Sequence, residues 1–158
     1  MEHLSDKFRY EQAQKPSGQV VLLKGFIDED TNFAGILKIK GPVIFNFKDV
    51  TGINSCGIRA WVNFIKDLGE TDVLYEECPP LVVRQMNMIP SFVGHATVLS
   101  VFVPYVCDEC ETEKLVLATK EEFKAKPPAI KEAFPCDHCK KGEMEIDGSP
   151  QQYFAFAR

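Results

Sequence analysis

Hydrophobic positions along the chain fall into short runs whose period switches between two and about 3.6, the signatures of strands and helices. "KFRYEQAQ" and "QVVLLKGFID" alternate or run apolar around the turn residues "KPSG", which predicts an opening β-hairpin over roughly 7–13 and 19–26. In "EDTNFAGILKI" Phe33, Ile36 and Leu37 share a face and the acidic "DED" favours a helix N-terminus, so a short helix is predicted there. "PVIFNF" (42–47) reads as a buried strand. In "GIRAWVNFIKDLG" (57–69) Ala60, Trp61, Phe64, Ile65 and Leu68 recur at helical spacing, and Gly69 closes the helix. "DVLYEE" (72–77) predicts the next strand, and "ATVLSVFVPYV" (96–106) a long one. Between them "PPLVVRQMNMI" (79–89) predicts a proline-initiated helix with Val82, Val83, Met86 and Ile89 facing a core.

This order of strands and helices implies parallel strands joined by helical crossovers, hence an α/β layer fold. A boundary is expected near Tyr105, with a first domain over 1–105 and a second module over 106–158. Beyond the boundary "KLVLAT", "EMEI" and "QYFAFA" look like short strands, separated by "KEEFKAKPPAIKEAFP" and "DGSP". A module of roughly fifty such residues buries little surface and needs a staple. Between the strand at 42–47 and the helix from 57 stands a polar stretch, "DVTGINSCGIR" (49–59), which reads as a strand-to-helix loop of the kind that often carries function.

Composition narrows the classes. The 158 residues are 45% hydrophobic, enough for a folded soluble protein with a real core. No apolar run approaches the ~20 residues of a membrane helix, and "MEHLSDKFRYEQ" lacks a leader pattern, so membrane insertion is not expected and a cytoplasmic address is. Eighteen Lys plus Arg against 23 Asp plus Glu give a net charge of −5 with no long basic block, which disfavours nucleic-acid binding. Local basic stretches at "KAKPPAIK" and "KK" (140–141) are the exceptions.

Cysteine usage is the strongest chemical signal. Four of the six cysteines form "CDEC" (Cys107, Cys110) and "CDHC" (Cys136, Cys139). In a chain with no sign of export, paired C-x-x-C motifs point to metal ligands rather than disulfides. Two such knuckles complete the tetrahedral thiolate shell of a structural Zn²⁺, in the manner of a zinc ribbon; iron in a rubredoxin-like site uses the same ligands. Four thiolates leave no open position for metal-activated water, so the ion is expected to support a fold. Independent cysteine pairs or a dithiol redox centre are the alternatives. His138 reads as a solvent-facing residue of the second knuckle, and His3 and His95 as surface or structural histidines.

"GFIDEDT" followed by "GPVIFNFKDVTGINSCGIRAWVNFIKDL" resembles the STAS domain, the family of sulfate-transporter tails and anti-sigma-factor antagonists. The residues that match its motif are Asp49, Thr51 and Gly52, then Asn54, Ser55, Cys56 and Gly57, and the resemblance spans roughly 7–105. It implies a STAS-like mixed sheet with helices, followed here by the zinc-ribbon module. It also implies regulation by a partner kinase that phosphorylates the serine before the glycine. Cys56 stands at that place, with Ser55 beside it and Asn54 where the family has aspartate. A helix N-terminus there would accommodate a phosphate on Ser55 or lower the pKa of Cys56. The plainer reading makes Ser55 the helix N-cap and Cys56 a small buried residue, with Cys78 another buried or semi-exposed thiol.

Three functions follow: a non-catalytic interaction or regulatory module of STAS type with a protein partner, a zinc-ribbon nucleic-acid or transcription-associated adaptor, and a thiol-based redox or metal sensor. No paired catalytic acid and base, Ser-His-Asp order or glycine-rich phosphate loop is apparent, so an enzyme is not expected.

Overall fold

The computed structural model describes residues 7–16, 18–36 and 41–157. Its elements are β1 (Arg9–Lys15), β2 (Gly18–Ile27), β3 (Val43–Ile53), α1 (Ser55–Asp67), β4 (Val73–Glu76), α2 (Pro80–Met88), α3 (Pro90–Val93) and β5 (Thr97–Val98), then β6 (Ser100–Cys107), β7 (Glu113–Thr119), α4 (Lys120–Lys124), β8 (Ala133–Pro135), β9 (Glu143–Ile146), α5 (Pro150–Tyr153) and a 3₁₀ turn over Ala155–Ala157. The first five strands form a mixed sheet in sequence order, with β1 antiparallel to β2 and the others parallel. The last four form an antiparallel sheet in the order β7-β6-β9-β8. The protein is therefore mixed α/β with a β-rich second sheet, as the sequence pattern predicts.

The β-branched and aromatic run of β3 lies between β2 and β4, where Val43, Ile44, Phe45 and Phe47 are all buried. Trp61, Phe64 and Ile65 project from one face of α1 onto this sheet. Around Trp61 stand the rings of Phe33, Phe45, Phe47 and Phe92, at centroid distances of 5.3, 5.0, 5.3 and 6.2 Å. The indole has its own polar outlet: Trp61 Nε1 donates to Tyr75 Oη (3.0 Å), which donates to the Phe92 carbonyl (2.7 Å). The buried tryptophan thus carries no unmet donor, which would otherwise cost roughly 1–3 kcal/mol.

The predicted strand at 42–47 is longer than expected and the loop correspondingly shorter. β2 continues beside it, pairing Lys24 with Asp49, Gly25 with Val50, Phe26 with Gly52 and Ile27 with Ile53, with two register shifts. The polar residues 49–53 therefore extend the strand, and Asn54 alone separates it from α1. The Phe26 ring lies over Gly52 and occupies the space a side chain would need. The helix predicted over 29–39 is not found over 29–35, which has turns only at 29–30 and 34–35; Ile36 is in 3₁₀ conformation, and the rest, from Leu37, lies outside the described residues.

The long strand predicted at 96–106 is divided at Leu99 between the two sheets. Leu99 N–H donates to the Tyr75 carbonyl of β4 (2.7 Å), while its own carbonyl accepts from Lys120 N–H at the end of β7 (2.8 Å). The turn after β4 makes room for the switch. Glu77 has φ 49° and donates its N–H to Ser100 Oγ (2.8 Å), and Cys78 then exchanges backbone bonds with Ser100 and Phe102. Buried Asn46 fastens the same corner by donating to the carboxylates of Glu76 and Glu77.

"QYFAFA" is not a strand. Ser149 and Pro150 start a helical turn, and the aromatic residues then pack sideways, with Phe154 and Phe156 against Phe123 at 5.8 and 5.3 Å. Asn87 of α2 donates to the Tyr153 carbonyl (3.0 Å) and accepts from Phe156 N–H (2.8 Å). Tyr153 Oη donates to the Phe102 carbonyl, so this segment ties α2 to the second sheet. The buried side chains of both sheets form one continuous cluster.

Candidate metal centre

Two backbone hairpins of the same form present the four knuckle cysteines. In the first, Cys107 ends β6, its N–H donates to the Thr112 carbonyl (2.9 Å), and Glu111 N–H returns to the Cys107 carbonyl (3.1 Å). In the second, Cys136 follows β8, its N–H donates to the Gly142 carbonyl (3.0 Å), and Lys140 N–H returns to the Cys136 carbonyl (3.1 Å). The residue after each second cysteine takes a left-handed conformation, Glu111 at φ 61° and Lys140 at φ 62°. This tight turn aims both sulfurs of a knuckle to the same side. Pairing of β6 with β9 and of β9 with β8 then brings the knuckles face to face.

The four Sγ atoms lie within 4.8 Å of one another, with 3.7 Å between Cys107 and Cys139 and 3.8 Å between Cys110 and Cys136. A disulfide requires about 2.05 Å, whereas a tetrahedron with Zn–S bonds of about 2.3 Å has edges of about 3.8 Å. The spacing fits a shared ion and excludes bridged pairs, and all six cysteines are free thiols.

Backbone N–H groups converge on the sulfurs: Glu109 and Cys110 donate to Cys107 Sγ (3.4 Å each), and Gly142 to Cys139 Sγ (3.4 Å). The side chain and backbone of Thr112 pull the Cys110 thiol down to about 6. The backbone of Lys141 and Gly142 lowers Cys139. Cys107 accepts the Cys110 N–H, which lowers it, yet burial and the thiols of Cys110 and Cys136 outweigh this and hold it at about 11. Four thiolates held this close would repel one another, and a divalent cation between them would offset that repulsion. The donor set fits Zn²⁺, and all four positions are supplied by protein.

Gly142 is squeezed between Cys107 Sγ, Asp108 and Glu109, and any side chain there would collide with them. Asp108 Oδ1 accepts Glu143 N–H (3.0 Å), and Lys114 lies 3.5 Å from Asp137 and over the Phe134 ring, so each knuckle is fastened to its neighbouring strand. Thr112 and Gly142 escaped sequence reasoning; their places, two residues after Cys110 and three after Cys139, were the available signal. His138 is exposed, and His95 Nε2 lies 3.0 Å from the Thr71 carbonyl. His3 lies outside the described residues.

The residues of the strand-to-helix junction stand apart from this centre. Asn54, not Ser55, caps α1: its Oδ1 accepts Gly57 N–H (2.8 Å) while its Nδ2 donates to Glu29 (3.0 Å). Asparagine accepts the third N–H along as well as serine does, so the helix begins two residues earlier than its apolar pattern indicates. Ser55 and Cys56 are therefore exposed in its first turn, and Cys56 is no core filler. Gly57 is buried against the Ile27 carbonyl, where no side chain fits. Cys78 is fully buried, and burial raises its thiol strongly, which removes it from solution chemistry.

Compared with known proteins, the chain matches no family model and no curated sequence.

Proposed function

We propose that the chain is a non-catalytic interaction module of STAS type whose second sheet is held by a structural zinc ion on Cys107, Cys110, Cys136 and Cys139. The observation that carries the metal part is the four-sulfur cluster, with edges of 3.7 and 3.8 Å and a closed ligand set. The interaction part is supported by the junction, where Asp49, Thr51 and Gly52 run along β3 into a capped helix that offers Ser55 and Cys56 to solvent. Added negative charge at that first turn would meet the free N–H groups and partial positive charge of the helix start. A partner of the kinase or partner-switching type, met in a reducing cytoplasm, is the reading this favours.

Elemental analysis of the purified protein tests the metal: about one zinc per chain is expected, and protein free of both zinc and iron removes the reading. Affinity capture with the wild type, Ser55→Asp and Cys56→Ser tests the junction. A partner bound by the wild type and altered by Ser55→Asp, with unchanged thermal stability, supports a switch there. Equal binding by all three returns the two residues to a purely structural role.

A further inference from the structure

Sheet edges invite other strands unless they are blunted, and the edges of this protein are unequal. β1 carries Arg9, Glu11 and Lys15 on its exposed positions, β5 is two residues long, and β8 is three residues long and ends in Pro135. β7 is blunted less, because its two charged residues, Glu113 and Lys114, stand together at one end. It is a seven-residue edge strand whose Leu115 and Leu117 are 50% and 43% exposed, two of the four large hydrophobic residues so exposed among the described ones. Its backbone is also open. Cys107 N–H reaches the Thr112 carbonyl and Lys120 N–H reaches the Leu99 carbonyl, so the even-numbered residues face β6. By antiparallel alternation Glu113, Leu115 and Leu117 turn their N–H and C=O groups outward, while Thr119 N–H is taken by Glu122 Oε1 (2.9 Å) in the cap of α4.

We propose that β7 is a self-association edge, on which a second copy of this chain lays its own β7 antiparallel about a two-fold axis at Val116. The two second sheets then become one continuous sheet, and the interface is isologous and closed. Charge selects this partner and register. Centred on Val116, Leu115 stands opposite the partner's Leu117, Glu113 opposite the partner's Thr119 and beside the partner's Lys120, and Lys114 opposite the partner's Ala118. Within β7 no like charges oppose, and only beyond it does Glu111 fall opposite the partner's Glu121. Centring on Leu117 would set Lys114 against Lys120 and Glu113 against Glu121; centring on Leu115 would set Glu113 against Leu117. A parallel pair in register would stack Glu113 on Glu113 and Lys114 on Lys114, which destabilises a strand pair. The favoured register also joins the residues whose backbone groups point outward, so the outward bonds of Leu115 and Leu117 are satisfied by the same step that covers their side chains.

Sedimentation velocity of the full chain as purified, across a concentration series, tests this. The wild type should pass from one chain to two as concentration rises. Leu117→Lys places a charge against the partner's Leu115. Leu117→Pro removes an N–H that faces outward and therefore leaves the bonds to β6 in place. Each should raise the concentration at half-dimerisation by about tenfold or more, with far-ultraviolet circular dichroism unchanged and the melting temperature unchanged at dilutions where the wild type is a single chain. Val116→Cys in a Cys56→Ser background should give a covalent dimer on mild oxidation, an independent readout if either Leu117 variant misfolds. Wild type that stays monomeric up to about 1 mM, the weak limit of specific association, overturns the proposal. So does a dimer that both folded Leu117 variants leave intact, or one with no cross-link at residue 116.

Discussion

The two sheets are stabilised by different means. The first is packed around large rings: Phe33, Phe45, Phe47, Trp61, Phe64, Tyr75 and Phe92 are all buried and in mutual contact. The second sheet has fewer rings, chiefly the Tyr105–Phe134 pair at 4.9 Å and the Phe123 group, and it places four thiols where a core would otherwise continue. Apolar burial scales with chain length, so the first sheet, covered by the thirteen-residue α1, fills its interior from its own residues, whereas the second, whose own helices are of five and four residues, buries fewer large side chains. A metal ion on those four thiols would supply further cohesion from a handful of positions, at the cost of dependence on a ligand from outside the chain.

The largest expected effect is on the metal side. Cys136→Ser should abolish tight metal retention and strip protection from the amides of β6, β7 and β9 in hydrogen exchange, while β2 and β3 stay protected. Structural zinc in tetrahedral sites contributes about 10–16 kcal/mol at neutral pH, comparable to or above the ~5–15 kcal/mol of a whole domain. Simultaneous loss of protection in β2 and β3 would mean that the continuous core outweighs the division into halves. Trp61→Ala should do the reverse, lowering stability by about 3–5 kcal/mol in urea unfolding while the folded protein keeps its full metal content. Metal loss from the folded variant would contradict the contrast.

Smaller effects sharpen it. Asn54→Ala removes the cap of α1 and the bond to Glu29, and should cost about 1–2 kcal/mol in the same unfolding experiment without touching the metal centre. The smallest effect is acidic. The backbone around Glu29 and the Asn54 amide hold its carboxyl below the usual carboxylate range. The Glu29 carboxylate therefore stabilises the fold above its unfolded value of about 4.3, and the contribution is lost as pH falls through the lower folded value. The Asn54 side-chain amide resonances should shift over that acidic range and lose the shift in Glu29→Gln.

Legibility in the sequence followed the same divide. Helices α1 and α2 were readable because Trp61, Phe64 and Ile65, like Val82, Val83 and Met86, repeat at helical spacing over several turns. The four cysteines were readable because ligand chemistry permits few alternatives to two C-x-x-C pairs. Residues 49–53 were not, because a polar run with glycine looks like a loop until a neighbouring strand such as the end of β2 supplies its hydrogen bonds. "QYFAFA" misled through its alternation, which so short a segment shares with a helical turn; the Phe123 and Asn87 contacts that decide its course come from distant parts of the chain. The cap at Asn54 was missed because the apolar pattern of α1 places its start at Gly57, two residues after the helix begins.

The divided peptide of Leu99 bears on how these pieces could be moved between proteins. A cut after residue 105 would end inside β6, separating Tyr105 from its neighbours and parting the first knuckle from the strand that aims it. A graft beginning at Ser100 would still lack Cys78, which pairs with Val101 from the other side. The transplantable unit that carries the cysteine cluster is therefore discontinuous in sequence, and it includes the Glu77–Cys78 corner along with everything that follows Leu99.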